Sequence, residues 1–292
     1  MVLHVTGLNK SYGKEKVLDN LSFNIKENQI VALVGPNGSG KTTLLNIITG
    51  LLEADAGDIK LFNMSPKNPD IFKQISYMQD NSVLYDYLTG YDHLQFIGDI
   101  QGCTKQQILT AAERVGSAHY LNKKVSKYSL GMKQHLLLTM AILNNPKLLI
   151  MDEPLNGLDP TSTIRIRNLL LDLHKEGTSI LLSSHNLSEI DRVTSHILFL
   201  KNGRLIEEDI SKYLHALYMI QVSHVKEAVE ALENMGVHID HIEGNTVHIS
   251  THDHSIQDIF LKLAEKQVDI LDISKKIAGS EERYQTLFTE GI

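Results

Sequence analysis

Cross-linking by disulfides is excluded at once, because Cys103 is the single cysteine and no internal pair can form; a reducing cytoplasm is the simplest expected home. Long apolar runs are equally scarce. The richest stretch, Leu136 to Ile142, is interrupted by Thr139 and ended by Asn144, Asn145 and Pro146, well short of the ~18 apolar residues that a membrane-spanning helix needs. The opening residues, Met1 to Gly7, carry no basic segment leading into an apolar one, so no secretory signal is expected there. Positive charge is in deficit: 28 lysines and arginines stand against 35 aspartates and glutamates, a net charge of −7, which argues against a general electrostatic hold on nucleic acid. Lys123, Lys124 and Lys127 form a local basic cluster that, taken alone, reads as a solvated loop.

Apolar content is ample. Hydrophobic residues make up 42% of the 292 positions and charged residues 22%, the balance of a globular chain with a sizeable core, and the length suits two domains. Leu3 to Val5 and Leu18 to Ile30 alternate apolar with polar residues, which predicts antiparallel strands with a turn at Glu27-Asn28. The run Ile30 to Val34 is apolar on both faces and ends at Gly35-Pro36-Asn37-Gly38-Ser39-Gly40, the pattern of a buried strand feeding a glycine loop. Thr42, Leu44, Leu45, Ile47 and Ile48 then fall at helical spacing, with Gly50 as a stop. From about 80 to 145 the periodicity is helical, with Leu94, Ile97, Ile108, Val115 and Leu121 as expected core positions. Two further buried strands are expected, Leu148 to Met151 running into Asp152-Glu153-Pro154, and Ser179 to Ser183 running into Ser184-His185. Helices intervene, so the sheet should be mainly parallel, closed by a hairpin through Lys201-Asn202-Gly203-Arg204.

The charged stretch Glu207 to Lys212 marks an expected boundary between a domain at 1–210, with its helical subdomain at about 80–145, and an accessory domain at 211–292. In the latter, strands at Leu217 to Val222, Val237 to Ile242, Thr246 to Ser250 and Val268 to Ile273 alternate with helices at Val225 to Met235 and Ile256 to Lys266. Strand, helix, strand, strand, helix, strand suggests a small ferredoxin-like α+β fold.

Gly35 to Thr42 satisfies G-x-x-x-x-G-K-S/T in full, between a buried strand and a helix, which is the context that gives the motif meaning. Glycines let successive N–H groups curl around an anion, the helix N-terminus adds favourable charge, Lys41 neutralises terminal phosphate oxygens and the Thr42 hydroxyl can ligate Mg²⁺. Gly35, Asn37, Gly38, Ser39, Gly40, Lys41, Thr42 and Thr43 are therefore expected to cradle a nucleotide. Asp152, at the tip of a buried strand, is suited to the metal's water shell, and Glu153 beside it to activating the attacking water.

With these two motifs in order, the chain resembles the ATP-binding cassette of ABC transporters over roughly Leu3 to Glu207. The resemblance implies a P-loop NTPase of the ABC type, α/β, with a mainly parallel core sheet, an antiparallel β subdomain and a helical subdomain. Tyr12 looks like the aromatic residue that stacks on adenine. Gln79, in Tyr77-Met78-Gln79-Asp80, looks like the glutamine that senses Mg²⁺ and the γ-phosphate. Tyr128-Ser129-Leu130-Gly131-Met132-Lys133-Gln134 occupies the place of the family signature, in which Ser129 and Gly131 would contact the γ-phosphate held by an opposite protomer. Asp159 resembles the aspartate that crosses the dimer interface, and His185 the switch histidine. Singly, Tyr12 reads as a turn residue, Gln79 as a loop amide and His185 as a strand-end histidine; their joint order reverses that.

The signature departs from Leu-Ser-Gly-Gly-Gln, with Leu130 replacing a glycine, Met132 the glutamine and His135 a frequent arginine, while Ser129 and Gly131 keep a hydroxyl and an unobstructed N–H near a helix start. The same segment looks like that of drug, bacteriocin and peptide exporter ATPases with small C-terminal extensions. The resemblance thus implies a hydrolase powered by ATP with Mg²⁺, with Glu153, His185 and Gln79 in catalysis and Thr42, Gln79 and Asp152 at the metal. It also implies a second ATPase protomer, identical or paralogous, and a separate transmembrane permease at the cytoplasmic face of the membrane, with no nucleic acid. The competing readings are a soluble ABC-type ATPase acting on ribosomes or nucleic acid, and a slow-hydrolysing nucleotide sensor. Seven of the fourteen histidines lie from His215 onward, and His252-Asp253-His254 has metal-ligand spacing, although regulation or dimer support is the expected role of this region.

Overall fold

The computed structural model describes residues 1–213, 216–251, 254–277 and 279–289, and the chain divides into two compact units, Met1–Glu208 and Asp209–Ile292. The first unit opens with β1 (Leu3–Tyr12) and β2 (Glu15–Ile25), an antiparallel pair, followed by the wholly buried β3 (Ile30–Val34) and helix α1 (Lys41–Ile48). Strand β4 (Ala56–Leu61) pairs with the other edge of β1, completing a three-stranded antiparallel sheet in the order β2-β1-β4. After β5 (Ile75–Met78) the chain forms α2 (Gly90–Gln101), α3 (Lys105–Val115) and α4 (Leu130–Ile142). It then returns through β6 (Leu148–Met151), α5 (Pro160–Lys175), β7 (Ser179–Ser184), the short α6 (Leu187–Ile190), β8 (His196–Lys201) and β9 (Arg204–Asp209).

The central sheet runs β5-β6-β7-β3-β8-β9 and is parallel from β5 to β8. Strands β3, β6 and β7 are buried along their whole length, which is why their sequences are continuous apolar runs and not alternations. The β8–β9 hairpin turns through Asn202 and Gly203, both at positive φ, the conformation that a two-residue turn between right-twisted strands requires. One core joins the two sheets: Leu3, Leu21 and Ile25 pack in a single cluster with Val31, Leu44, Ile48, Ile150 and Leu198. Each such side chain contributes about 1.5–3 kcal/mol on burial.

Local signals set the helical segment. Helices α2 and α3 open with capping boxes, Thr89 with Asp92 and Thr104 with Gln107, and stop at Gly102 and Gly116 in left-handed conformation. Leu94, Ile108, Val115 and Leu121 are buried as expected, whereas Ile97 is only half-buried and lines a groove described below. Strand β1 continues past Val5 to Tyr12, because register shifts after Val5, Leu8 and Lys10 break the alternation that would have revealed it. Ile30 begins the buried β3 as expected, after the expected turn at Glu27-Asn28, where Asn28 takes positive φ.

The second unit contains β10 (Ala216–Val222), α7 (Val225–Asn234), β11 (His238–Glu243), β12 (Thr246–Thr251), α8 (Ile256–Glu265), β13 (Ile270–Ile277) and α9 (Ser280–Thr289). Its sheet order, β11-β12-β10-β13 with every neighbour antiparallel, is that of a ferredoxin-like β-α-β-β-α-β unit. Ile220, Val222, Val247 and Ile249 from the sheet pack with Ala228, Leu232, Ile259 and Leu263 from α7 and α8. Strand β13 starts later than expected: Gln267 takes positive φ, and the Gln267 and Val268 N–H groups close on the carbonyls of Ala264 and Leu263, so Val268 belongs to the cap of α8. Helix α9 has no counterpart in the expected elements. Of the triplet His252-Asp253-His254, the first two lie outside the described residues.

Candidate functional site

The carboxyl ends of β3, β6 and β7 lie side by side in the parallel sheet, and the loops that leave them carry Gly35 to Gly40, Asp152-Glu153 and His185. Ligands of open parallel sheets bind at such carboxyl ends. Gly40, the residue before α1, has φ +102°, and a Cβ there would stand 2.7 Å from Val17 Cγ1, so both conformation and space require glycine. Helix α1 has no side-chain cap and no acidic residue in its first turn, which leaves its N-terminal N–H groups and partial positive charge open to an anion. Ser39 Oγ is buried without a hydrogen-bond partner, an orphan that a phosphate oxygen would satisfy. The Lys41 ammonium, 7% exposed, donates to the carbonyls of Gly35 (2.8 Å) and Pro36 (3.2 Å) and stands 3.8 Å from Glu153 Oε1. It is thus held over the mouth of the loop.

The acidic end of β6 is fixed from both sides. Thr42 Oγ1 donates to Asp152 Oδ2 at 2.6 Å, and Ser183 Oγ donates to Asp152 Oδ1 at 2.5 Å while accepting from the Glu153 N–H at 2.9 Å. Glu153 takes φ +51°, a conformation that non-glycine residues seldom adopt and that costs on the order of 1 kcal/mol or more. That backbone turn separates the two carboxylates: Asp152 meets Thr42, and Glu153 Oε2 meets His185 Nδ1 at 2.9 Å. The hydroxyl of Thr42 and the carboxylate of Asp152 are the hard oxygen donors that Mg²⁺ takes, in the numbers that leave room for water and phosphate.

Tyr12, Asn37, Gly38, Gly40, Lys41, Thr42, Thr43, Asp152 and Glu153 line one pocket of about 470 Å³. Tyr12 is half-exposed at the end of β1, with Lys10 Nζ 5.8 Å from its ring centroid, so an aromatic face remains at the pocket rim. Val17, Asp80 and Asn156 also line the pocket and had not been expected. Nor had Ser183, fully buried at the end of the apolar strand Ser179 to Ser184, whose role only its neighbours in the fold reveal. Gln79 is placed differently: it follows β5 and lines a separate groove with Leu51, Phe72, Tyr87, Phe96 and Ile97. Ser129 and Gly131 do not line the phosphate pocket of their own chain. Ser129 caps α4 by accepting from the Met132 N–H at 3.3 Å, and a Cβ on Gly131 would meet nothing in the chain closer than Leu158 Cδ2 at 3.6 Å.

Of the departures from the expected signature, Leu130 packs against the loop that follows β6. It lies over Gly157, which takes φ +72° and where a Cβ would come within 2.1 Å of Leu130 Cδ2. Asp159 caps α5, accepting from the N–H groups of Thr161 and Ser162 and from Ser162 Oγ, and these bonds hold its carboxyl below the usual range. Tyr128, next to Ser129, donates to the Tyr120 carbonyl at 2.9 Å, and burial pushes its phenol up to about 12. Burial and the neighbouring Arg165 push the His135 imidazole down, against a smaller opposing pull from Asp159.

Residues 18–156 match the family described as ABC transporter. The chain is 34% identical to the bacitracin transport ATP-binding protein BcrA of Bacillus licheniformis, over 99% of this chain and 96% of that one. It is 36% identical to the lantibiotic transport ATP-binding protein SrtF of Streptococcus pyogenes, over 76% of this chain and 97% of that one. Among solved structures, the dimeric post-hydrolysis state of an ATP-binding cassette bound to ADP and Pi is 26% identical, with a TM-score of 0.65 over 71% of this chain and 98% of that one. The fold of an ATP-binding subunit of an ABC transporter matches with a TM-score of 0.67 over 90% of this chain and 100% of that one, at 24% identity.

Proposed function

The chain belongs to the ABC transporter family as an ATP-hydrolysing subunit, and on that premise we propose that two copies, or this chain and a paralogue, close head to tail on two ATP molecules with Mg²⁺. Thr42 and Asp152 would hold the Mg²⁺, which when bound supplies positive charge against the phosphate oxygens. Gln79 would reach it only after the segment that follows β5 moves, since Gln79 lies in the neighbouring groove. The Lys41 ammonium exchanges its loop carbonyls for β- and γ-phosphate oxygens. Glu153 accepts a proton from the attacking water, oriented by His185, which in turn is free to hydrogen-bond the γ-phosphate. The single observation that carries this reading is the linked array Thr42–Asp152–Ser183–Glu153–His185, in which both carboxylates are oriented by named donors on three strands' ends.

Ser129 and Gly131 would complete the site of the opposite protomer. Gly131 has ordinary backbone and open space around it, so nothing within the chain calls for glycine there; close approach of another body does. ATP contacts made only in the closed pair supply the differential affinity that drives closure, and hydrolysis removes it. The domains proposed for this work are an ATP-binding domain at 1–210 and an accessory domain at 211–292.

The groove beside Gln79, about 840 Å³ and lined by Leu51, Phe72, Tyr85, Tyr87 and Phe96, would receive a separate membrane-spanning permease. Tyr87 and Phe96 are 68% and 65% exposed, an apolar patch of the kind that marks a protein contact. No helix of the described residues is long and apolar enough to cross a membrane, in keeping with a peripheral place at the cytoplasmic face. The relatives named for bacitracin and lantibiotic transport favour export of a peptide, antibiotic or other amphipathic compound.

The test is affinity purification of Glu153→Gln from membranes with ATP present, followed by mass spectrometry. A stoichiometric multi-spanning protein is the expected companion. Ribosomal or nucleic-acid-associated proteins without one would overturn the transporter assembly in favour of a soluble ATPase. Leu130, packed over Gly157 in the signature, favours a second reading as a slow nucleotide sensor, for which single-turnover hydrolysis would be far slower than ATP binding.

A further inference from the structure

His241, Glu243 and His248 are the one group of three metal-ligating side chains found among the described residues, and they lie in the second unit, remote in sequence from the phosphate site. They sit on the β11–β12 hairpin. His241 pairs with His248 across the two strands, and their rings stack with centroids 3.7 Å apart and planes 27° from parallel. Glu243, two residues along β11, lies on the same face as His241, diagonal to His248. One donor atom from each of the three lies within 4.8 Å of the other two.

This convergence depends on a departure from regular pairing. Ile239 pairs with Ile249, but His241 pairs with His248, so β11 carries one extra residue, Asp240. In a regular ladder His248 would face Asp240, and His241 would face Val247, whose side chain is fully buried in the core. The bulge therefore carries the His241 imidazole from the core face to the open face, beside His248. Asp240 is used elsewhere, accepting from Ser250 Oγ at 2.6 Å. Two imidazoles in stacking contact would repel if both were protonated, and their neighbours on this face, Asp240 and Glu243, are acidic.

From this geometry we infer that His241, His248 and Glu243 form a binding site for a divalent transition metal such as Zn²⁺. Two imidazole nitrogens and one carboxylate oxygen are the donor set of three-ligand zinc sites, in which water completes the tetrahedron. Ligand atoms around Zn²⁺ at about 2.0–2.1 Å are about 3.3 Å apart, so the three donors must close from at most 4.8 Å. His241 and Glu243 are exposed and His248 is half-buried, so side-chain rotation on a fixed hairpin provides that movement. The site asks nothing of Lys41, Asp152 or Glu153, and it takes the metal without nucleotide.

The test is binding of Zn²⁺ alone to the purified full chain, by calorimetry near neutral pH, with Co²⁺ as a spectroscopic substitute. One metal per chain is expected at this site, with the visible absorption of low-coordinate Co²⁺. His241→Ala and His248→Ala should each weaken binding at least about tenfold, since even partners outside the ligand set cost 10–100-fold, and Glu243→Gln should weaken it less than either histidine change. Circular dichroism serves as the folding control, and because His241 is exposed its replacement separates ligand loss from misfolding. Absence of saturable binding would overturn the inference. So would undiminished binding in the folded His241→Ala variant, which would assign the metal to other histidines.

Discussion

Ser183 ties the two acidic residues at the end of β6 into one unit, giving a hydrogen bond to Asp152 and taking one from the Glu153 backbone. A bond to a charged group is worth about 1.5–3 kcal/mol, so Ser183→Ala should lower kcat about tenfold or more while leaving ATP affinity within about threefold. Steady-state hydrolysis alongside nucleotide titration checks this, and an unchanged kcat would show that Asp152 and Glu153 hold their places without it. Gly40→Ala should be more severe, since its Cβ would strike Val17 from a left-handed backbone; loss of nucleotide binding is the expected outcome. At this scale the convergence of the phosphate loop, Asp152, Glu153 and His185 was legible from residue type and order, with His185 reached only through the resemblance. Ser183, Asp80 and Asn156 were not, because a serine in an apolar strand and polar residues in loops acquire meaning only when three-dimensional neighbours are known.

Among the elements, the buried strands β3, β6 and β7 declared themselves as short apolar runs, and the stretch from about 80 to 145 as helical, whereas the separate helices α2 and α3 and their capping boxes emerged only in the structure. Strand β1 was read too short because its bulges disrupt the two-residue period, and Ile97 was read as core although its side chain borders an open groove. Helix α4 carries a half-buried imidazole, His135, whose buried Nε2 has no hydrogen-bond partner. Its folded pKa lies below the ordinary 6.5, so the unfolded chain protonates first. Its contribution to stability is complete above about 6.5 and declines as pH falls from there toward the folded value. Thermal melts at pH about 7.5 and about 5.5 should differ less for His135→Gln than for the parent chain; an equal difference would place the pH sensitivity elsewhere. On α2, Phe96→Asp should abolish copurification of the permease while leaving the isolated chain's hydrolysis within about twofold, because a charge in an apolar contact patch is costly only when the patch is covered.

For the whole molecule, the parallel character of the central sheet and the succession strand, helix, strand pair, helix and strand in the second unit were legible from pattern, whereas β4, β5 and α9 were not. Ser129 and Gly131, expected from the resemblance to face an opposite protomer, lie outside the phosphate pocket of their own chain, which supports the proposal that a second protomer completes the site. The measurement that tests this most directly is analytical ultracentrifugation of Glu153→Gln with and without ATP and Mg²⁺. A monomer that becomes a dimer on adding ATP, and that remains a monomer when Ser129→Arg is added, is the result the account predicts. A Glu153→Gln protein that binds ATP yet stays monomeric, or a dimer indifferent to Ser129→Arg, would contradict it.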